Sequence, residues 1–596
     1  MFIRLYCLVC FRDDIPMPDL AGSNNKFVSY SMRTICNGLQ PQSRAVAEPE
    51  LMERLQMFYR TEFFPLRTGR DPAIHGGTER INQSINYMTN TIQTCLSNNL
   101  MIHFVSRLQR FINLTAAPYD AHFELRADRN RARQAIKRWL IADDEWRRSI
   151  DVDPCYDGWY VEHGRHIEAS VRDCRGIAYD IKARPFSYLR PTVYMGSIME
   201  RMERDERGLR PRMFQAISLR TSQVPKYVYI DTKVLQELKL GVESMPSTWF
   251  KDLNKHKAQS WANCFCTERR VFRASQHDFG HLLQTDGVGV SLVFNHKHTG
   301  EKKCTGCYQG ERTDHANYIH NLSDAQLDQL RTKTIVGVDP GKYNLVYMAD
   351  GSFAKQQPNG KMKYNKMRYT AWQRKHDTKQ KHYEAIERKL REPIAHIERG
   401  LSEHCSKSVD VDAFKRFVYT KMQDIDAFEA CYHNEVLRKN RFRRQALRQQ
   451  ADAGLLNSIE RTFGRADDIV LAYGDWSPAQ QMKHFVPTKG VGIRRLLSTR
   501  FRIVLVDEFR TSKLCSKEGC SGELVNRREH ASGSGKIFRC LECPECSARS
   551  PNTQRSAFLT RDLNSALNIR QLAVHWIEKQ NRPAAFLRGG GCPPDE

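Results

Sequence analysis

The chain has 596 residues, and its 93 Lys and Arg against 68 Asp and Glu give a formal net charge of +25. That length exceeds what a single core organises and predicts roughly three to five domains. The cationic surplus favours a polyanionic partner, nucleic acid first and an acidic membrane surface second. Hydrophobic residues at 40% and aromatics at 10% exclude a disordered basic tail. No apolar run approaches the ~20 residues of a membrane-spanning helix. Eighteen cysteines, partly in CxxC spacing, suggest reduced thiols and metal binding in an intracellular protein, not a disulfide framework.

In chain order, MFIRLYCLVCF (1–11) reads as a strand or ragged terminus. Arg4 inside it and the missing small-residue cleavage site argue against a signal peptide. Residues 1–25 then form a loose leader, and FVSYSMRTI (27–35) alternates like a strand. From Glu48 to Trp146 the apolar spacing is helical. One segment there gathers Arg129, Arg131, Arg133, Lys137 and Arg138, either as a solvated face or as phosphate contacts. PTVYMGSIM, RMFQAISL, KYVYIDT and TDGVGVSLVFNH, between 191 and 296, read as short strands. With 27–35 they would make a small β domain split by a helical insertion. Cys304 and Cys307 near His296 and His298 are either loop cysteines or a zinc turn.

TIVGVDPG (334–341) is a buried strand running into a tight turn, followed by a return strand from Lys342 and a third from Lys366. Helical stretches follow over 371–403 and 411–463; the second carries Arg438, Lys439, Arg441, Arg444 and Arg448 as candidate nucleic-acid contacts or an import signal, with a solvated face as the alternative. DDIVLAYGDWSP (467–478) and RIVLVDEF (502–509) are two more strands, and RDLNSALNI (561–569) opens an amphipathic helix.

Two sets of residues carry chemistry. Asp339 ends a strand, where the sheet fixes a carboxylate as metal positioning requires; Glu508 and Asp562 are late carboxylates around a cysteine cluster. Cys515-x4-Cys520, nineteen residues, then Cys540-x2-Cys543-x2-Cys546 offers five thiolates to a four-ligand zinc site. Cys515, Cys520 and Cys540 are the expected members, with Cys543 and Cys546 competing for the fourth place.

GVDPG, VDEFRTSKLC leading into the cysteines, and RDLNSALNI together resemble the split RuvC-type nuclease of TnpB proteins, and most closely the eukaryotic Fanzor family. TDGVGVSLVF and YGDWSP resemble Fanzor segments too. The motif match covers about 285–296 and 335–575. The resemblance implies a multidomain α+β protein: a split RNase H-like nuclease domain with a zinc ribbon insertion, a β-barrel wedge domain and a helical recognition domain. It places leader and first wedge strands at 1–45, the recognition domain at 46–185, the wedge at 186–330, the nuclease at 331–510 and 556–596 with a helical insertion at 371–463, and the ribbon at 511–555.

The implied activity is RNA-guided DNA cleavage with an omega guide RNA, double-stranded target DNA, two Mg²⁺ ions on Asp339, Glu508 and Asp562, and a structural Zn²⁺, in a monomeric nuclear ribonucleoprotein. One departure matters. TnpB proteins place the middle catalytic Glu on the strand corresponding to IVLAYGDWS, where this chain has Tyr473-Gly474-Asp475. Fanzor proteins move it to the next strand, the place of Glu508, with Asp507 expected to face the other way; Asp475 is the rival. The competing functions are a guide-independent RNase H-like transposase and a nucleic-acid binder without cleavage.

Overall fold

The computed structural model describes residues 1–22, 25–40, 46–68, 81–168, 176–205, 211–220, 222–240, 252–296, 317–356, 362–475, 490–520, 522–528, 536–549 and 558–587. Cys304, Cys307 and His298 lie outside these residues. The chain is a multidomain mixed α/β protein and divides into two compact units. Unit 1 comprises Met1–Lys297 and Glu387–Lys439; unit 2 comprises His298–Ile386 and Asn440–Glu596. Residues 387–439, expected within the nuclease insertion, thus cluster with unit 1. No described helix is long and apolar enough to cross a membrane.

Unit 1 is chiefly helical, and here the sequence expectations need correction. The first residues form a helix, Phe2–Arg12, not a strand or a loose leader. Phe2, Leu5 and Leu8 are buried at helical spacing. Arg4, the charge that argued against an apolar element, is itself buried. It donates to the carbonyls of Ser406 and Ser408 at 2.8 and 2.7 Å and lies over the Phe414 ring. FVSYSMRTI is helical as well, within Lys26–Asn37, capped by Asn25 Oδ1 accepting from the Val28 N–H at 3.1 Å. Phe27, Tyr30, Ser31 and Thr34 face inward, a period of three to four that overrides the apparent alternation. PTVYMGSIM lies in the helix Leu189–Asp205, and RMFQAISL forms no strand.

The wedge expectation reduces to one antiparallel sheet of three strands among the described residues: β1 (Val228–Asp231), β2 (His277–Thr285) and β3 (Val290–His296), in that order. Its small core joins Leu235, Trp261 and Leu283.

Unit 2 is built on a five-stranded sheet. Its strands are β4 (Thr334–Pro340), β5 (Asn344–Gln356), β6 (Met362–Thr370), β7 (Ile469–Gly474) and β8 (Arg502–Val506). The order is β6-β5-β4-β7-β8; β5 runs antiparallel to both β4 and β6, and β4, β7 and β8 run parallel to one another. Both faces are covered, so β4, β7 and β8 read as continuous apolar runs. Val336, Val338, Leu471, Tyr473, Ile503 and Leu505 pack with Leu455, Leu456, Ile459, Phe463, Ile493 and Leu497 on one face. Ile335, Val470, Ala472, Val504 and Val506 pack with Ile569, Leu572, Ala573 and Ile577 of the terminal helix Arg561–Lys579 on the other.

Gly337 explains how closely that helix docks: a Cβ there would overlap the Ala566 carbonyl and lie 2.8 Å from the Arg570 nitrogen. A separate antiparallel sheet, β9 (Val525–Arg528), β10 (Lys536–Glu542) and β11 (Phe558–Thr560), leads into the same helix.

Candidate active site and metal centre

Strand alternation brings the three proposed carboxylates to one face. Ile335 and Gly337 meet the terminal helix, so Asp339, two residues on, points to that face at the end of β4. Ala472 and Val504 share it, and Gly474 continues the phase of Ala472. Asp562 lies in the first turn of the terminal helix. Glu508 lies beyond β8, which ends at Val506, so it is a loop residue and not a strand residue. Its carboxylate occupies the space a side chain at Gly474 would fill. A side chain at position 474 would therefore displace the Glu508 carboxylate.

The electrostatics record the convergence. Burial pushes the Asp339 carboxyl well above the usual range, the negative charges of Glu508 and Asp562 raise it further, and Arg561 partly offsets them. Asn344 donates its Nδ2 to Asp562 Oδ2 and orients it.

Asp475, the rival, is committed elsewhere. Its Oδ2 accepts from the Tyr318 hydroxyl at 3.0 Å, and its Oδ1 accepts from the Glu508 N–H at 3.2 Å. It fixes the loop that carries Glu508. Asp507 turns away to Arg582, which donates to its carbonyl at 2.8 Å and pairs with its carboxylate at 3.8 Å. Arg561 and Asn344 escaped sequence reasoning; their signals were adjacency to Asp562 and a position just past the Pro-Gly turn.

The thiol centre corrects one ligand. Cys515, Cys520, Cys543 and Cys546 have sulfurs mutually within 4.8 Å. Cys540, expected as a secure member, sits on β10 opposite Thr560 and outside the group; both Cys543 and Cys546 belong. The Sγ separations are 3.9 Å for Cys515–Cys546, and 3.6 Å for Cys520–Cys543 and Cys520–Cys546. Four thiolates at a Zn–S bond of ~2.3 Å in a tetrahedron stand about 3.8 Å apart, so the geometry fits Zn²⁺. Burial raises Cys520 to about 11 and Cys515 higher still. Burial also acts to raise Cys543, but hydrogen bonds from the Cys546 N–H and the neighbouring thiols bring it below the ordinary thiol value.

The asparagines of RDLNSALNI tie the two centres together. Asn564 and Asn568, one turn apart, each donate to the carbonyls of Thr511 (3.1 and 2.7 Å) and Leu514 (2.7 and 2.8 Å). Asn564 Oδ1 accepts from the Ser516 N–H at 2.9 Å. One helix thereby holds Asp562 at its start and clamps the loop entering Cys515.

The basic helix residues divide. Arg438 donates to the Asp286 carbonyl at 2.8 Å, against Gly287 in the β2–β3 turn, and serves the fold. Lys439 pairs with Glu435 at 3.0 Å, and Arg444 lies over the Tyr383 ring at 5.9 Å. Arg448 is exposed and reaches only Gln445, at 3.5 Å; Arg441 is half-buried.

Among known families, a domain of unknown function (DUF8286) matches residues 228–296. Those bounds coincide with the start of β1 and the end of β3. No curated protein matches the chain.

Proposed function

We propose that the chain is an RNA-guided, Mg²⁺-dependent DNA endonuclease of the Fanzor type, with a split RNase H-like nuclease domain and a zinc ribbon. The observation that carries this is the convergence of Asp339, Glu508 and Asp562 on one sheet face, close enough for two of them to raise the third. A site of three like charges that protonates for want of a counter-charge favours cations, and an all-oxygen donor set suits Mg²⁺. The sheet order, an antiparallel β4-β5-β6 meander on one side of β4 and the parallel strands β7 and β8 on the other, supports the RNase H-like assignment.

Asp339, Glu508 and Asp562 would hold the ions. Bound there, the ions supply an activated water and stabilise the leaving 3′ oxygen. Three carboxylates against two divalent ions leave the site net positive toward the scissile phosphate. The chain's own contribution is placement: Asn344 orients Asp562, Asp475 fixes the Glu508 loop, and Arg561 adds a cation. Cys515, Cys520, Cys543 and Cys546 would hold a structural Zn²⁺ beside the site. The +25 charge suits a protein that must screen guide RNA and DNA together, in a nuclear ribonucleoprotein.

The test is purification followed by sequencing of bound RNA, with cleavage assayed with and without it. The proposal expects RNA to copurify and Asp339→Ala to stop cleavage while RNA binding persists. Guide-independent cleavage or strand-transfer products would overturn it in favour of a transposase. RNA binding with no cleavage by the unaltered chain would mark a binder.

A further inference from the structure

The helix Asn82–Thr115 of unit 1 carries cations for which the nuclease centre has no use. His103, Arg107 and Arg110 stand at i, i+4 and i+7, on one face. Arg107 is only 5% exposed; its guanidinium lies over the Phe214 ring at 4.9 Å, and its Nη1 is buried with no hydrogen-bond partner. Arg110 donates to the Arg212 carbonyl at 3.1 Å. His103 and Arg212 are exposed.

Four other sequestered arginines of this unit are provided for: Arg4 has its backbone carbonyls, Arg133 has Asp120, Arg147 has Glu168 and Arg184 has Asp180. Among the described residues, Arg107 has none of this. Burial lowers it to about 10, and Arg110 adds to the effect. Burial and Arg212 lower Arg110; burial and Arg107 lower His103. Apart from burial, every influence on these three is another cation. A buried charge without its counter-charge is costly, and its usual resolution is an anion.

We propose that Arg107, with His103, Arg110 and Arg212, is a subsite for the phosphodiester backbone of a nucleic acid. The planar guanidinium fork matches a phosphate's paired oxygens. From His103 to Arg110 the helix rises about 10 Å, more than one phosphate covers, so a strand with successive phosphates meets the whole row. This rests on the chain being a nucleic-acid protein, but not on its carboxylates.

The test uses the full chain stripped of copurified nucleic acid, and Arg107→Met, which keeps an apolar stem against Phe214. Melting is measured alone and with inorganic phosphate. Affinity is measured for a labelled single-stranded RNA and a DNA duplex of equal length across a salt series. The subsite predicts that Arg107→Met melts no lower than wild type and binds RNA, DNA or both about tenfold more weakly, with the slope of log K against log salt shallower by about one. The polymer that loses affinity identifies the source of the phosphate. Unchanged affinity for both polymers overturns the proposal: with lower melting the guanidinium serves the fold, and with only phosphate stabilisation lost the site takes small anions. Weakened binding by Arg107→Met in a chain that cleaves nothing would sink the nuclease proposal and leave this one standing. Intact binding beside an inactive Asp339→Ala would do the reverse.

Discussion

The thiol and carboxylate centres of unit 2 share one helix, yet they differ in how they are closed. Cys515, Cys520 and Cys543 are buried and, with Cys546, already stand at tetrahedral spacing. Asp339, by contrast, is partly open to solvent. A closed four-sulfur shell has no room for substrate; an open oxygen set has. On the proposed function that difference separates a structural centre from a reactive one, and each prediction below attacks one side of it.

The largest effect should come from the closed site. Cys543→Ser should lower zinc content from one equivalent per chain toward none and loosen the β9–β11 region, since zinc binding and folding are coupled. Cys540→Ser should keep the full equivalent. Elemental analysis of both variants checks the ligand set, and loss of zinc in Cys540→Ser would break it. At the open site, Asp339→Ala should reduce cleavage on the order of a thousandfold, with zinc content unchanged.

A smaller effect probes the reach of Glu508. Gly474→Ala puts a methyl where the Glu508 carboxylate lies. That carboxylate is the far end of a flexible side chain, so stability should change by under about 1 kcal/mol. Displacing a ligand by about an ångström should nonetheless cost roughly 10- to 100-fold in cleavage. Equal loss of stability and activity would mean that Gly474 serves the fold alone.

These contrasts also show how far the sequence could be read. In unit 2 the strands announce themselves, because a sheet covered on both faces makes unbroken apolar runs such as Ile335–Val338 and Ile469–Ala472. Asp339 at a strand end and Asp562 at a helix start follow from local pattern, whereas Glu508 was read onto a strand and lies in the loop beyond β8. Cys540 was misassigned because spacing alone does not say which of two i+3 neighbours turns inward; its place on β10 does. Unit 1 was read less well. Arg4 looks like an outward residue, but its burial depends on partners hundreds of residues away, such as Ser408, and a nine-residue window carries no trace of them. Asn564 and Asn568 looked like ordinary polar positions of an amphipathic helix, and only the loop they clamp gives them a purpose.

That clamp links the two centres and can be cut in stages. The Thr511 and Leu514 carbonyls each receive a bond from both asparagines, so Asn568→Ala leaves them satisfied by Asn564 and should cost about 1 kcal/mol. Asn568 Oδ1 is itself buried without a partner, which reduces its net value. The double variant orphans both carbonyls and should cost about 3 kcal/mol or more, beyond the sum of the single changes. Urea denaturation of the three variants measures this; strict additivity would show that the bonds do not substitute for each other.

The smallest effect is a slope. The folded Asp339 carboxyl titrates above its unfolded value of 3.8. Between those two values the folded state holds more of the proton than the unfolded state. Its contribution to stability is therefore fully present below the unfolded value and declines as pH rises toward the folded one, by at most about 1.4 kcal/mol per pH unit. Above the folded value the penalty is constant. Asp339→Asn removes the titration, so the urea midpoint of wild type minus that of the variant should fall with pH across this window in Mg²⁺-free, zinc-replete buffer. Saturating Mg²⁺ should flatten the difference by supplying the counter-charge that the proton had stood in for. A flat difference without Mg²⁺ would mean that Asp339 does not feel Glu508 and Asp562, and the open site would lose its basis.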